Sequence, residues 1–403
     1  MPKQWTSEEI LNVVRAFQPA CILTAAAELD IFSVLCKRPM TAESLAGKLS
    51  SNIRAITILL DALAALGLLA KKGDKFSVPV QVAEILTETA PGNILPAVRH
   101  IGNYMRRWVQ IARVTQTGKP ADRQPSIRGE AADLAAFIGA MDIFSAPIAC
   151  QVIDRLRPLT FSHLLDIGGG PGTWIVAFLR AAPKARATLF DLPEVIPLAR
   201  QRINDAGLSK RVNLVAGDFY VDDLPAGADF AWLSSIAHQN SRQQNRALFA
   251  KIYAALQKDG VLVIRDVVMD ESHIRPVAGA LFGVNMLVGI EGGGTYTFNE
   301  FWQDLIETGF SQITLLYRDE FTSSLIRAQK TLANPTHFKI GDESDMGRSI
   351  RAAKTSHHTP SSSICLFSSD PITPRVSRFE STSILSFACS TVPPPGTKNS
   401  PFL

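Results

Sequence analysis

The sequence lacks several features that would classify it at once. It has no CxxC pair; its five cysteines, Cys21, Cys36, Cys150, Cys365 and Cys389, are odd in number and scattered. Such spacing suggests neither a disulfide framework nor a zinc site. It has no dominant charge either, with 41 basic residues against 37 acidic ones and a formal net charge of +4. That balance argues against a nucleic-acid or membrane-surface partner, which a strongly basic chain would attract. The first residues, MPKQWTSEEI, show no basic stretch followed by an apolar core, so no signal peptide is expected. No uninterrupted apolar run reads as long enough to span a bilayer. No internal repeat and no metal-ligand cluster is visible, so no divalent ion is expected to be required. These absences together point to a soluble chain in a reducing cytoplasm.

What is present is a long and apolar chain. Its 403 residues, 46% hydrophobic, suffice for two ordinary domains with a sizeable core. Residues 1–100 read as mostly helical, with helical spacing of apolar residues through Ile10–Phe17 and Ile22–Leu35. Thr41 is placed to cap a short helix, and a second runs over Ile53–Leu66 to Gly67. Two short apolar runs around a Lys-Gly-Asp turn then read as a hairpin. Helix, helix, hairpin is a winged-helix pattern. Residues 101–157 read as a helical connector with a break near Gly118–Pro125 and a helix from about Ala131 to Cys150.

From His163 strands and helices alternate. Candidate strands cover 163–168, 187–192, 212–218, 230–235 and 260–268, with two late ones at 313–318 and 322–330. This pattern predicts an α/β domain with a doubly wound, Rossmann-like parallel sheet over 158–330. Thr297 and Glu300 fit a capping box opening a helix. In residues 331–403 roughly two-fifths are Ser, Thr or Pro without periodicity, which reads as a disordered tail.

The strand-to-turn segment LLDIGGGPG carries the clearest chemistry. Asp166 ends a strand, and Gly168, Gly169, Gly170 and Gly172 fill the turn after it. Glycines let a backbone approach a ligand closely, and open α/β sheets bind ligands at the carboxyl ends of their strands. Asp191 ends the next strand, where it suits ribose hydroxyls. A nicotinamide fingerprint fits less well, because its last small residue is Thr173 here. The acid two residues before the first glycine instead suits the ammonium group of a sulfonium nucleoside, S-adenosylmethionine. Asp218 and Phe219 end the third strand. They suit an adenine amino group and ring, or equally a turn cap and a core aromatic.

DIGGGPG, Phe190–Pro193, Gly217–Phe219, a His after the fourth strand and GG-x-x-T before ETGF together resemble the plant-type small-molecule O-methyltransferases. The bacterial and fungal branch, with carotenoid, polyketide and acetylserotonin enzymes, is the nearer match. The resemblance covers about residues 8–330. It implies a homodimer formed through the winged-helix domain, a small-molecule acceptor and S-adenosylmethionine as cofactor. It implies cofactor contacts from Asp166, Gly168, Gly170, Asp191, Leu192, Asp218, Phe219 and Ser234. His238 falls at the family's general base, with Asp266 as its flanking carboxylate. Phe137, Met141 and Phe144, spaced along one helix face, and Met286 would contact the acceptor; core packing explains the same stripe. The chain departs from the plant type at Gln239-Asn240, where Asp-Trp is usual, and at Thr295, where a carboxylate is expected.

Two rival functions follow from these residues. The altered surroundings of His238 leave room for diverged chemistry, decarboxylation or hydroxylation, on the same cofactor fold. A winged helix could instead serve DNA binding. Residues 1–100 carry only ten basic against nine acidic residues, and the helix Ile53–Leu66 is nearly all apolar. DNA binding needs a basic footprint, so the apolar helix fits dimer burial better.

Overall fold

The computed structural model describes residues 3–321 and 323–331; the tail expected to be disordered lies, from residue 332 on, outside the described residues. The chain divides into two compact units, Met1–Thr117 with Ala121–Ile143, and Gly118–Pro120 with Phe144–Leu403. The stretch 101–157, expected as a connector, is shared between them.

In the first unit, α1 (Ser7–Arg15) opens with a capping box. Thr6 Oγ1 accepts from Glu9 N at 3.2 Å, and the Glu9 carboxylate accepts from Thr6 N at 2.9 Å. Then come α2 (Phe17–Glu28), α3 (Ile31–Leu35), β1 (Met40–Thr41), α4 (Ala42–Lys48) and α5 (Ile53–Ala65). Thr41 and Asn52 cap α4 and α5, accepting from Ser44 N at 3.2 Å and Ala55 N at 3.1 Å. The hairpin β2 (Ala70–Lys72) and β3 (Lys75–Ser77) turns at Gly73, and β1 adds to β3 as a third strand. The elements α6 (Val80–Ala83), α7 (Leu95–Trp108) and α8 (Ile111–Thr117) follow, and α9 (Glu130–Arg155) begins in this unit and ends in the second. Phe32, Leu45, Leu60 and Phe76 are fully or almost fully buried at its core.

Two helical stretches, Ser7–Glu28 and Glu130–Arg155, are long and apolar enough to cross a bilayer by length and composition alone. Neither is an uninterrupted apolar run. The apolar residues are interspersed with single polar ones, which helical geometry distributes around the axis and a search for unbroken runs passes over. Asp133 in α9 is one of these polar residues. It is buried and accepts from Ser126 N at 2.8 Å and Ser126 Oγ at 2.5 Å.

The second unit is built on a seven-stranded sheet. Its elements are β4 (His163–Ile167), α10 (Thr173–Ala181), β5 (Arg186–Asp191), α11 (Ile196–Asp205), β6 (Val212–Ala216), β7 (Ala228–Ser234), α12 (Arg242–Ala255), β8 (Leu256–Asp266), β9 (Val268–Met269), α13 (Val277–Gly289), β10 (Tyr296–Thr297), α14 (Phe298–Glu307), β11 (Phe310–Tyr317) and β12 (Ser324–Lys330). The strand order is β11-β12-β8-β7-β4-β5-β6. β4 to β8 pair in parallel, whereas β12 is antiparallel to β8 and to β11. The fold is therefore α/β and Rossmann-like, with a mixed sheet rather than a purely parallel one. The chain winds outward from β4 through β5 to β6, then returns to lay β7 on the other side of β4. That reversal opens the crevice in which such sheets hold ligands.

Pleating decides which side chains reach which face. Leu164, Phe230, Trp232 and Val263 pack on the face that carries α10 and α11. Leu165, Ala231, Leu233, Leu262 and Ile264 pack on the face that carries α12 and α14. On that second face the buried Asp304 of α14 pairs with Arg242 and Arg246 of α12, both at 2.8 Å, and so ties the two helices together.

No residue of α1 is buried. Ile10, Leu11, Val13, Val14 and Phe17 are each about half or more exposed, a larger apolar cluster than scattered surface residues explain. If a second copy covers this face, the protein sediments as a dimer and Val14→Asp dissociates it, because burying an unpaired charge is costly. Analytical ultracentrifugation of both proteins checks this; a monomeric wild type at micromolar concentration contradicts it.

Candidate active site

The carboxyl ends of the parallel strands bring the sequence candidates onto one edge. Asp166, Asp191, Ser234 and Asp266 occupy the last positions of β4, β5, β7 and β8 or lie one residue before them. The loop after β4 leaves the sheet at Gly168, whose N–H donates to Phe190 O at 2.8 Å. A Cβ at Gly168 would lie 2.6 Å from Ile236 Cδ1 in the turn that bears His238, and the φ of +65° there favours glycine. Gly170 is different. Its φ is +54°, and a Cβ there would meet nothing within 4 Å. The loop thus keeps open space beside a backbone that only glycine adopts readily.

Two acids lie at this loop: Asp191 accepts from Gly170 N, and Asp166 Oδ2 stands 2.8 Å from where a Cβ at Gly169 would be. Asp166 is 1% exposed, and its Oδ2 has no hydrogen-bond partner. Burial, with the nearby charge of Asp191, pushes its pKa well above the usual carboxylate range. Asp191 receives Gly170 N and Leu192 N, both at 2.7 Å. Burial nonetheless pushes it up to about 6, against the pull of these two bonds. A buried carboxylate with an unpartnered oxygen suits a cationic group, as the ammonium of S-adenosylmethionine would be. A second carboxylate with unused lone pairs suits hydroxyls such as those of a ribose. The donor set fits that cofactor.

The remaining cofactor candidates are less distinctive. Leu192 lies beside Asp191 and its backbone holds that carboxylate. Asp218 accepts from Tyr220 N at 2.8 Å and so closes its own turn. Phe219 lies near Gly168 and packs on Tyr220, ring centroids 4.6 Å apart. Ser234 Oγ accepts from Arg265 at 3.1 Å.

His238 sits in a short 3-10 turn after β7 and is 3% exposed. Its Nδ1 lies 2.7 Å from Asp266 Oδ1, and its backbone N–H donates to Asp266 Oδ2 at 3.3 Å. Val267 N donates to Asp266 Oδ1 at 2.7 Å. A carboxylate only accepts, so Nδ1–H donates to Asp266 and the Nε2 lone pair is left free. Nε2 is buried with no hydrogen-bond partner. Phe282 packs edge-on against the ring, centroids 4.8 Å apart.

The turn around His238 is held from three directions. Gly294 N donates to His238 O at 2.9 Å, and a Cβ at Gly293 would stand 3.0 Å from that same oxygen. Asn240, fully buried, accepts from Tyr220 Oη at 2.5 Å and donates to Asn245 Oδ1 at 3.0 Å, and its carbonyl accepts from Tyr296 Oη. Asn245 in turn donates to Ala237 O at 2.9 Å. Sequence reasoning noted Asn240 only as a departure from the plant type; two of its partners, Tyr220 and Tyr296, come from distant segments. It also passed over Arg265, which with Asp266 interrupts the apolar run VLVI-RD-VVM. That interruption of a central strand was the available signal.

Of the acceptor candidates, Phe137, Met141 and Phe144 lie partly buried along α9, the first two in the first unit and Phe144 in the second. Phe137 lies 5.3 Å from the ring of His100. His100 itself is held neutral, its pKa lowered to about 3 by burial and by the charge of Arg107. Met286 is fully buried in α13 behind Gly293. His163 is occupied by Gly227 O and Thr188 Oγ1.

A family model described as an O-methyltransferase domain matches residues 128–311, and one described as an O-methyltransferase dimerisation domain matches residues 11–88. The chain is 30% identical over 318 residues to the tetracenomycin polyketide synthesis 8-O-methyl transferase TcmO of Streptomyces glaucescens, across 76% of this chain and 91% of that one. It is 31% identical over 298 residues to the 3-hydroxy-5-methyl-1-naphthoate 3-O-methyltransferase of Streptomyces sahachiroi, across 72% and 86%. The solved structure of PigF with SAH, 24% identical, shares the fold with a TM-score of 0.72 over 81% of this chain and 100% of that one. A methyltransferase domain joined to a dimerisation segment thus has its counterpart in known enzymes, and the chain belongs to the S-adenosylmethionine-dependent O-methyltransferase family.

Proposed function

We propose that this protein methylates a hydroxyl of a small, hydrophobic aromatic acceptor, with His238 as the general base. One observation carries the proposal: a buried imidazole whose Nδ1 is held 2.7 Å from a carboxylate while its Nε2 is left bare. The two relatives, one named for tetracenomycin polyketide synthesis and one for a 3-hydroxy-5-methyl-1-naphthoate, support an acceptor of that class. Phe137, Met141, Phe144 and Met286 are assigned to it on their apolar character and, for the first three, their helical spacing.

When bound, S-adenosylmethionine supplies an electrophilic methyl group. Asp166 would hold its ammonium group, and Asp191 its ribose hydroxyls. Gly168, Gly170 and Leu192 would bring the backbone against it, with Asp218 and Phe219 at the adenine and Ser234 near the sulfonium end. His238 Nε2 takes the proton from the acceptor hydroxyl as the oxygen attacks. A phenol with pKa near ~10 is mostly protonated at neutral pH, so this removal lowers the barrier. Asp266 keeps the imidazole in the right tautomer and stabilises the imidazolium that forms. The dry surroundings of the ring strengthen that electrostatic support. Product mass separates this chemistry from decarboxylation or hydroxylation: one methyl group gained, against carbon dioxide lost or oxygen gained.

Gly170→Val should abolish measurable binding of S-adenosylhomocysteine, since its side chain would enter the open space and its backbone resist a positive φ. Calorimetry on the folded variant checks this, and undiminished affinity refutes the loop assignment.

Asp166→Asn tests the acids. Folding raises the pKa of both, so their protonated forms favour the ligand-free fold. That contribution is whole below the usual value of 3.8 and, for Asp191, is lost as pH rises through about 6. Asn at 166 stays neutral. The ligand-free variant should therefore gain melting temperature over wild type at pH 7, gain less at pH 5, and bind the cofactor more weakly. A variant that melts lower than wild type at pH 7, or binds the cofactor as well as wild type, contradicts the assignment.

His238→Ala should slow single-turnover methyl transfer by roughly 10²–10⁴-fold without abolishing it, since alignment supplies the rest. The defect should shrink at high pH and for acceptors with an acidic hydroxyl, which need no base. An equal defect for all acceptors at every pH would assign the histidine a purely structural part.

A further inference from the structure

Arg265 is a buried cation that the mechanism above does not use. It is 3% exposed and lies on β8, one residue before Asp266. Pleating sends Asp266 to His238 and Arg265 to the opposite face, where its guanidinium lies 5.1 Å from the ring of Trp174. Trp174 is in the first turn of α10, directly after the glycine loop. All its hydrogen-bond partners among the described residues are hydroxyls. Nη1 donates to Ser234 Oγ at 3.1 Å and to Ser235 Oγ at 2.9 Å, and Nη2 to Ser323 Oγ at 3.0 Å. Nε is buried with no partner. No described carboxylate forms an ion pair with it. Asp266 and Asp319 act on it only through space, and burial outweighs them, lowering its pKa to about 10. It therefore stays charged at neutral pH.

The backbone is bent to make this arrangement. Consecutive residues of a strand point to opposite faces, so Ser234 and Ser235 should not meet the same nitrogen. They do because Ser235 leaves the strand with φ +59°, a conformation that a non-glycine residue seldom adopts. Its N–H is held by Arg265 O at 2.8 Å. Each hydroxyl accepts from the guanidinium and so keeps its own proton to donate outward. Both serines are only partly buried. A buried positive charge thus presents itself through two polarised O–H donors at the end of β7, the strand next to the one that carries Asp166.

We propose that Arg265, acting through Ser234 and Ser235, forms the anion subsite for the carboxylate of the cofactor's amino-acid tail. The inference rests on the cofactor placement proposed above. The tail is zwitterionic: Asp166 offers a carboxyl group with an unpartnered oxygen for its ammonium, and the Arg265–serine pair offers positive charge for its carboxylate. A negative ligand group also supplies the counter-charge that this buried guanidinium lacks, and hydrogen bonds between ionised partners are the strong ones.

Calorimetry on the full chain tests this with two probes, S-adenosylhomocysteine and its decarboxylated analogue, which keeps the amine. Wild type should bind the first about ten- to a hundredfold more tightly, as loss of charge-assisted hydrogen bonds implies. Arg265→Met should lose that advantage while binding the analogue as wild type does. The ligand-free variant should melt no lower than wild type, because an unpaired buried charge is removed. The double variant Ser234→Ala, Ser235→Ala keeps the guanidinium and should also lose most of the discrimination, which settles the matter should Arg265→Met not fold. Equal binding of both probes by wild type, or an equal loss for both in the variants, overturns the subsite alone. A wild type that binds neither probe overturns the cofactor placement, and the subsite with it.

Discussion

Charge kept out of water at the carboxyl edge of the sheet is the constraint around which the second unit is arranged. β8 ends in Arg265-Asp266, two opposite charges that are both almost fully buried. Neither could be there alone, because a desolvated charge is costly unless it is met by partners. The pleat separates them, so each organises one face. Asp266 collects His238 Nδ1, the His238 backbone and Val267 N. Arg265 collects three serine hydroxyls and the face of Trp174. The His238 turn and the end of β7 are thereby fixed from opposite sides of the same strand.

The acids of the glycine loop face the same constraint with fewer partners. Asp191 has two backbone N–H groups and still rises to about 6. Asp166 has an oxygen with none. A fold selected for stability alone would fill such a position with an apolar or neutral residue. The pattern of bare acid, open space at Gly170 and bare imidazole nitrogen is that of a site whose electrostatics are completed by ligands. The apolar cluster of α1 is unsatisfied in a different way: in water it lacks area to pack against rather than charge, which matches the dimerisation segment found over residues 11–88.

Much of this was legible in the sequence because it depends on local rules. Alternating strands and helices, the capping box at Thr297, the N-cap at Thr41 and the glycine turn after β4 are dictated by residues a few positions apart. The strand-end acids Asp166 and Asp191 were legible for the same reason, and His238 and Asp266 through family resemblance. The antiparallel edge formed by β11 and β12 was not, since the direction of pairing is set by how the chain returns to the sheet.

The sequence by itself determined which chemical groups stand at the ends of which strands, because strand period and turn chemistry are short-range properties. Only the tertiary structure decided which of those groups meet. His238 and Asp266 are 28 residues apart and come within 2.7 Å because β7 and β8 are neighbours in parallel register. Asn240 became a hub because Tyr220 and Tyr296 converge on it from separate segments. Arg265 found two serines on one nitrogen because a single left-handed residue, Ser235, turned the chain out of its pleat. Such pairings follow from strand order and backbone direction, which are fixed only when the whole core closes, and no local pattern records them.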